Sequence, residues 1–412
     1  MGINKFRLTL LQRTQEKAVV HTDVSEAFNC AVFVADAMTG LYKVKGGAPM
    51  KPSELVADQL GMIRDVCNAA ITSEPRKNFV FVYSTDVSHQ VPREKAVTQA
   101  ARRTGLIPYP EDSVLTKEVV WSESGTFLLE PVRFFQSRGM TRVYSLFLLD
   151  CLLEEVRDGK WGAIPRATIV LDIGCPAGPH CIDLRTRKHT QHRDLAFPSG
   201  EAEIRAVWWA ARFAKDAEVA PGELPEELVI ESRPSVQKRF VLCTTDQDLL
   251  ACMMVQMMRR PQAYAGVTID WLFDKKDNEY HMVDVGRLAH AVEDPIRGGG
   301  YNWMLLLTFA AACGTDYTDK KLFSNYVNEL MTYNFLADAA IALREPVSLD
   351  GFTDYALAAL RGFHRMAQKR SATKCPVPIE TMAVEQRTAI MDSLNFICKY
   401  WSGLVPPVLA GN

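Results

Sequence analysis

Three runs of strand length, apolar almost without a break, constrain this chain most. They are Asn-Phe-Val-Phe-Val-Tyr at 78–83, Ala-Thr-Ile-Val-Leu-Asp-Ile at 167–173 and Arg-Phe-Val-Leu-Cys at 239–243. A half-exposed strand alternates apolar with polar residues, so continuous runs of this kind belong to strands buried on both faces. Burial on both faces demands helices above and below, and helical stripes lie between the runs. Pro52 to Ile71 sets Leu55, Val56, Leu60, Ile63, Val66, Cys67 and Ala70 on one face behind a Pro-Ser start. Tyr144–Val156, a segment from about Glu201, the Met-rich Leu249–Met258 and Tyr301–Cys313 read as further helices. The chain is expected to be an α/β protein: a central, mainly parallel sheet with helices on both faces and a mostly helical C-terminal region. Residues 18–23 read as a short first strand ending at Asp23, 25–41 as a helix, and 266–273 with 280–285 as a hairpin. The core is assigned to residues 1–320, with an insertion at about 87–140, and residues 321–412 pack on it as a helical region.

With 412 residues, 48% of them hydrophobic and 23% charged, the chain has enough apolar material for a large core and too little polarity for extended disorder. A net charge of −2 excludes a global field that would draw it to nucleic acid, so any such binding rests on local Lys and Arg clusters. Its ten cysteines follow no framework spacing and fall mostly in apolar segments, as buried reduced thiols do. The N-terminus lacks a signal-type apolar run, and no stretch approaches the ~20 apolar residues of a membrane span. A nuclear or cytoplasmic setting is expected, without membrane contact.

Seven carboxylates stand at the ends of these apolar segments: Asp23, Asp86, Glu201, Glu203, Asp246, Asp248 and Asp316. Singly, an acid in such a place is a turn residue or a helix N-cap. Together they are mutually repulsive unless cations offset the charge. Oxygen donors of this kind suit Mg²⁺, and two ions ~4 Å apart can activate water and stabilise the leaving oxygen of a phosphodiester. In open parallel sheets, sites form beyond the carboxyl ends of strands, where these acids are expected. The acid-x-acid pairs cannot share a helix face, so Glu201 and Glu203 are expected to serve different ions, or one directly and one through water.

Met-Gly-Ile at 1–3, the strand-end Asp23 and Asp86, the basic segment 92–103, Glu-Ala-Glu at 201–203, Asp-Gln-Asp at 246–248 and Gly-Thr-Asp-Tyr at 314–317 occur in that order. In this the chain resembles the flap endonuclease/XPG family of 5′ nucleases, with the related 5′→3′ exoribonucleases as a sister group. The resemblance covers about residues 1–320 and implies a PIN-like 5′ nuclease core holding two Mg²⁺ ions, which Mn²⁺ can replace. It implies Asp86, Glu201, Glu203 and Asp246 at one ion and Asp23, Asp248 and Asp316 at or near the second. Arg93, Arg102 and Arg103 would act on the scissile phosphate, with Gly2 and Lys95 among the nucleic-acid contacts. The implied activity is hydrolysis of 5′-flap or branched DNA in replication, repair or recombination. RNA degradation from the 5′ end and an inactive nucleic-acid-binding scaffold are the alternatives. The family's Gly-Ile-Gly duplex-gripping element is absent after Tyr317, and no sliding-clamp box is found.

Cys175, His180, Cys181, His189 and His192 carry zinc-type ligands without a zinc-type spacing, and an exposed hairpin explains them better. Arg185, Arg187 and Lys188 within it are candidate nucleic-acid contacts. Tyr109, Trp121, Phe134 and Phe135 could stack an unpaired base or fill core. Met253–Met258 reads as helix packing, and Gly298–Gly300 as a connection.

Overall fold

The computed structural model describes residues 20–21, 27–37, 50–73, 78–86, 138–162, 164, 166–173, 177–197, 201–230, 238–274, 280–293, 302–313, 315, 352–370 and 377–401. Strands are β1 (Val20–His21), β2 (Val32–Asp36), β3 (Phe79–Ser84), β4 (Ala167–Asp172), β5 (His180–Asp183), β6 (Lys188–Gln191), β7 (Lys238–Cys243), β8 (Val267–Asp274) and β9 (Tyr280–Asp284). Helices are α1 (Pro52–Ser73), α2 (Arg138–Arg157), α3 (Ala202–Ala214), α4 (Gln247–Arg259), α5 (Val285–Glu293), α6 (Trp303–Cys313), α7 (Phe352–Arg370) and α8 (Val384–Trp401).

Among the described residues these nine strands form one sheet in the order β1-β9-β8-β7-β2-β3-β4-β5-β6. The five central strands, β8-β7-β2-β3-β4, are parallel to one another. From β2 the chain moves outward through β3 to β4, then returns to the other side of β2 for β7 and β8. That reversal makes the β2/β7 seam a topological switch point of the doubly wound kind. Antiparallel additions close both edges: the β5–β6 hairpin beyond β4, and β9 with β1 beyond β8. The expected hairpin of 266–285 is therefore present, and its first strand also extends the parallel core.

Alternate residues on each strand supply two cores. Val32, Val34, Val80, Val82, Phe240 and Leu242 pack under α3 to α8. Phe33, Phe79, Phe81, Tyr83, Leu171 and Val241 face α1 and α2 on the other side. The α/β fold with a parallel sheet covered on both faces stands as expected, and the C-terminal helices α7 and α8 share the first of these cores. Met253 and Met254 are buried within it, as helix packing requires. No helix among the described residues is long and apolar enough to cross a membrane.

One expectation at the N-terminal end is corrected. Within the segment 18–23 the described residues Val20–His21 form β1, antiparallel to β9 at the outer edge and separated from β2 by three strands. The segment expected to be helical over 25–41 contains β2, the central strand. Val-Phe-Val-Ala is a short apolar run, which periodicity cannot divide between helix and strand. Its β-branched and aromatic side chains favour the pleated surface once neighbours exist on both sides.

A fully buried cation fastens α3 to the sheet. Arg205 donates through Nη2 to the carbonyls of Thr85 and Asp172, the latter at 3.2 Å, and its Nη1 lies 3.4 Å from Asp172 Oδ1. Trp209 Nε1 donates to Asp172 Oδ2 at 2.8 Å. Removing one member of a buried ion pair strands the other charge, so Arg205→Met should lower unfolding free energy by about 3–5 kcal/mol in denaturant titrations. The double change Arg205→Met with Asp172→Leu should recover much of that loss.

Candidate carboxylate site at the switch point

The last rung of the sheet aligns Asp36 of β2, Ser84 of β3 and Asp172 of β4, which are register partners in sequence. All three have the strand parity of Val34, Val82 and Val170, so they face the α3–α4 side. Adjacent strands lie ~4.8 Å apart, which places two acidic positions in one row within ~10 Å. Above that row the N-termini of α3 and α4 deliver the two acid-x-acid pairs.

Two hydrogen-bonded links join helix starts to strand ends. At the β2/β7 seam the Thr244 hydroxyl donates to Asp36 Oδ2 at 2.9 Å and accepts from the Asp246 amide at 3.2 Å. Asp246 is the N-cap of α4, its Oδ1 accepting from the Asp248 amide at 3.0 Å. At β3, Asp86 Oδ1 accepts from the Ala202 amide at 2.9 Å, so a residue 116 positions earlier caps α3 in place of Glu201. Helix starts favour negative charge because unsatisfied N–H groups and the helix dipole point there. Asp86 and Asp246 thus have the structural task of a cap.

Glu201, Glu203 and Asp248 are buried, at 1%, 4% and 1% exposure. Glu201 Oε2 accepts from the Tyr400 hydroxyl at 3.1 Å, which brings the C-terminal helix α8 to the same edge. Cys252 Sγ lies 3.7 Å from the Trp401 carbonyl, which also accepts from Gln256. Burial pushes the Cys252 thiol well above its ordinary pKa, and Asp248, Glu203 and Glu201 add to the effect. One thiol therefore senses carboxylates from both helix starts.

Of the predicted residues, Asp86, Glu201, Glu203, Asp246 and Asp248 come together at this edge. Asp23, Asp316, Arg93, Lys95, Arg102, Arg103 and Gly2 lie outside the described residues, as do Cys175, Tyr109, Trp121, Phe134, Phe135 and Gly298–Gly300. Arg185, Arg187 and Lys188 do not join the site. Asp183 and Lys188 pair at the level of Thr168, so their turn sits at the amino end of β4, opposite the carboxylates. Sequence reasoning missed Asp36, Asp172, Thr244, Arg205 and Tyr400. Asp36 and Asp172 do carry a readable signal, an acid closing a continuous apolar run.

The donor set is oxygen throughout, which suits a hard divalent cation, and the donors share one edge. Among the described residues no three His, Cys, Asp or Glu side chains converge as a metal-holding group. The fit is therefore one of donor chemistry and shared edge, and it leaves out Asp172, whose two oxygens are engaged by Arg205 and Trp209.

No protein-family model matches the chain, and no curated protein matches its sequence.

The histidine segment forms the expected hairpin, although it is joined to the sheet through β4 and partly buried. His180 Nδ1 and His189 Nε2 are 3.0 Å apart, Cys181 is wholly buried, and His192 Nε2 meets Glu227 Oε1 at 2.7 Å. Burial, and for His180 the neighbouring His189, holds both imidazoles below their ordinary value of 6.5. Below that pH the unfolded chain takes up protons that the folded pair resists, so unfolding is favoured as pH falls. Denaturant midpoints should decline as pH drops below about 6.5, and His189→Gln should flatten that slope. Tyr400→Phe should lower stability by about 1–3 kcal/mol, because it removes the donor to a buried oxygen of Glu201, in the same titrations.

Proposed function

We propose that this protein is a divalent-metal-dependent nuclease that hydrolyses phosphodiester bonds at a 5′ single strand leaving a duplex. The observation that carries this reading is the placement of Asp36, Asp86, Glu201, Glu203, Asp246 and Asp248, from four separated stretches of chain, along one edge of a single parallel sheet. Setting six carboxylates along one edge, with Asp36, Glu201, Glu203 and Asp248 buried, is unfavourable unless the site serves a positive partner. The resemblance of the sequence to flap-type 5′ nucleases supplies the substrate class, with Asp36 taking the strand-end position first assigned to Asp23.

In this reading Asp36, Asp86 and Asp246 are the strand-end and cap ligands, and Glu201, Glu203 and Asp248 complete the donor set. When bound there, divalent ions supply an activated water and offset charge on the leaving oxygen. Thr244 holds Asp36 and the Asp246 backbone in one arrangement, so both residues stand at fixed positions. Arg205 neutralises Asp172 and keeps it from competing as a ligand. The helix dipoles of α3 and α4 stabilise the negative charge of the site before any cation arrives.

Asparagine caps a helix as well as aspartate does, so Asp86→Asn and Asp246→Asn remove charge while keeping the caps. A labelled panel of 5′-flap DNA, nicked duplex, single-stranded DNA and 5′-monophosphate RNA, with Mg²⁺ or Mn²⁺, tests the reading. Metal-dependent cutting at the flap junction is expected, reduced at least about a hundredfold in either variant at unchanged melting temperature. Stepwise loss of 5′ nucleotides from the RNA would move the assignment to the exoribonuclease group. Variants as active as wild type, or no metal-dependent cutting of any substrate, would leave only the capping role.

A further inference from the structure

A cavity of about 440 Å³ opens at the C-terminal end of α3, the far end from the carboxylates. At 1.5 Å per residue the helix separates the two places by about 18 Å. Among the described residues its wall contains Arg212, Lys215 and Lys238 against one carboxylate, Glu223, and is otherwise largely apolar, with Phe213, Leu224 and Ile230 among its residues.

Arg212 is unusual for a cation. It is only 4% exposed, and its Nε and Nη1 have no hydrogen-bond partner among the described residues. Its guanidinium lies over the Trp208 ring, 4.7 Å from the centroid, one helical turn back. Stacking of this kind fixes the plane of the group and leaves its N–H donors at the rim. The nearby acids on the following turn are committed elsewhere: Asp216 to Arg260 at 2.7 Å, and Glu218 to Arg259 and Arg260. Burial lowers the Arg212 pKa, and Asp194 offsets this only in part. Gly222, at φ +99°, folds its loop against the guanidinium, where a Cβ would come within 3.0 Å of Nη1. A left-handed glycine is thus needed to close the chain over this charge.

A desolvated cation with two nitrogens unsatisfied among the described residues is costly, and a cavity beside it gives an anion access. The volume lies in the range of small-molecule sites, which are mostly apolar with a few placed polar groups. We propose that this cavity binds a small organic anion, a carboxylate or phosphate head on an apolar body, anchored by Arg212 with Lys215 and Lys238 beside it. The site is independent of the nuclease reading.

Fluorine NMR titration of the full chain with 4-fluorophenyl phosphate, 4-fluorobenzoate and the neutral 4-fluorobenzyl alcohol tests it. At least one anion should bind saturably, the neutral probe about tenfold more weakly or not at all. Arg212→Met should weaken the anion about tenfold, and the Lys215→Gln/Lys238→Gln pair should weaken it several-fold. The tighter of the two anions identifies the head group. Because Arg212 is buried, the lysine pair, at an exposed and a half-buried position, decides alone if Arg212→Met does not fold. Absence of saturable anion binding to wild type, equal binding of the neutral probe, or affinity unchanged in the folded variants would overturn the proposal.

Discussion

Parallel pairing is the constraint on which the rest depends. Each pair of parallel strands needs a crossover, so every central strand starts at one edge of the sheet and ends at the other. Residues that close strands therefore meet at a single edge whatever their separation in sequence. Asp36, Ser84 and Asp172 reach one rung in this way, and the turn after β7 brings Thr244 and Asp246 beside them. The crossovers also deliver helix N-termini to that edge, so the positive ends of α3 and α4 lie over the acids. Reversal of strand order between β2 and β7 opens the crevice in which these groups can face one another.

Collecting negative charge there works against the fold, and the molecule offsets it locally. Helix starts take Asp86 and Asp246 as caps, Tyr400 donates to Glu201, and Arg205 with Trp209 accounts for Asp172. Each device comes from a different element, including the C-terminal helix. Core packing and site electrostatics are consequently linked. The apolar contacts that hold α8 against α4 and α6 also set the Tyr400 hydroxyl in place.

Much of the architecture was legible because burial on both faces leaves a plain mark. The runs at 79–84, 167–172 and 238–243 are strands within a residue of their expected limits, and the helical stripes at 52–73, 202–214, 247–259 and 303–313 follow them. β2 was not legible as a strand. Five residues of Val-Phe-Val-Ala-Asp satisfy a helix or a strand equally, and only the flanking β3 and β7 select the strand. The misreading hid Asp36, the acid that ends this central strand. The basic turn at 185–188 illustrates the converse: its charge was readable, while the antiparallel turn that carries it away from the carboxylates was not.

Residue type and order by themselves determined the α/β class, the two-sided burial of the sheet and the presence of carboxylates at strand and helix ends, because hydrophobic periodicity and capping are local effects. Tertiary structure alone decided which acids stand together, which of them is neutralised, and that Arg212 lies buried beside a cavity. These outcomes depend on contacts between residues tens to hundreds of positions apart, such as Ala202 with Asp86, Thr244 with Asp36 and Tyr400 with Glu201. No local pattern encodes such pairings, since they follow from strand order and from the packing of whole elements.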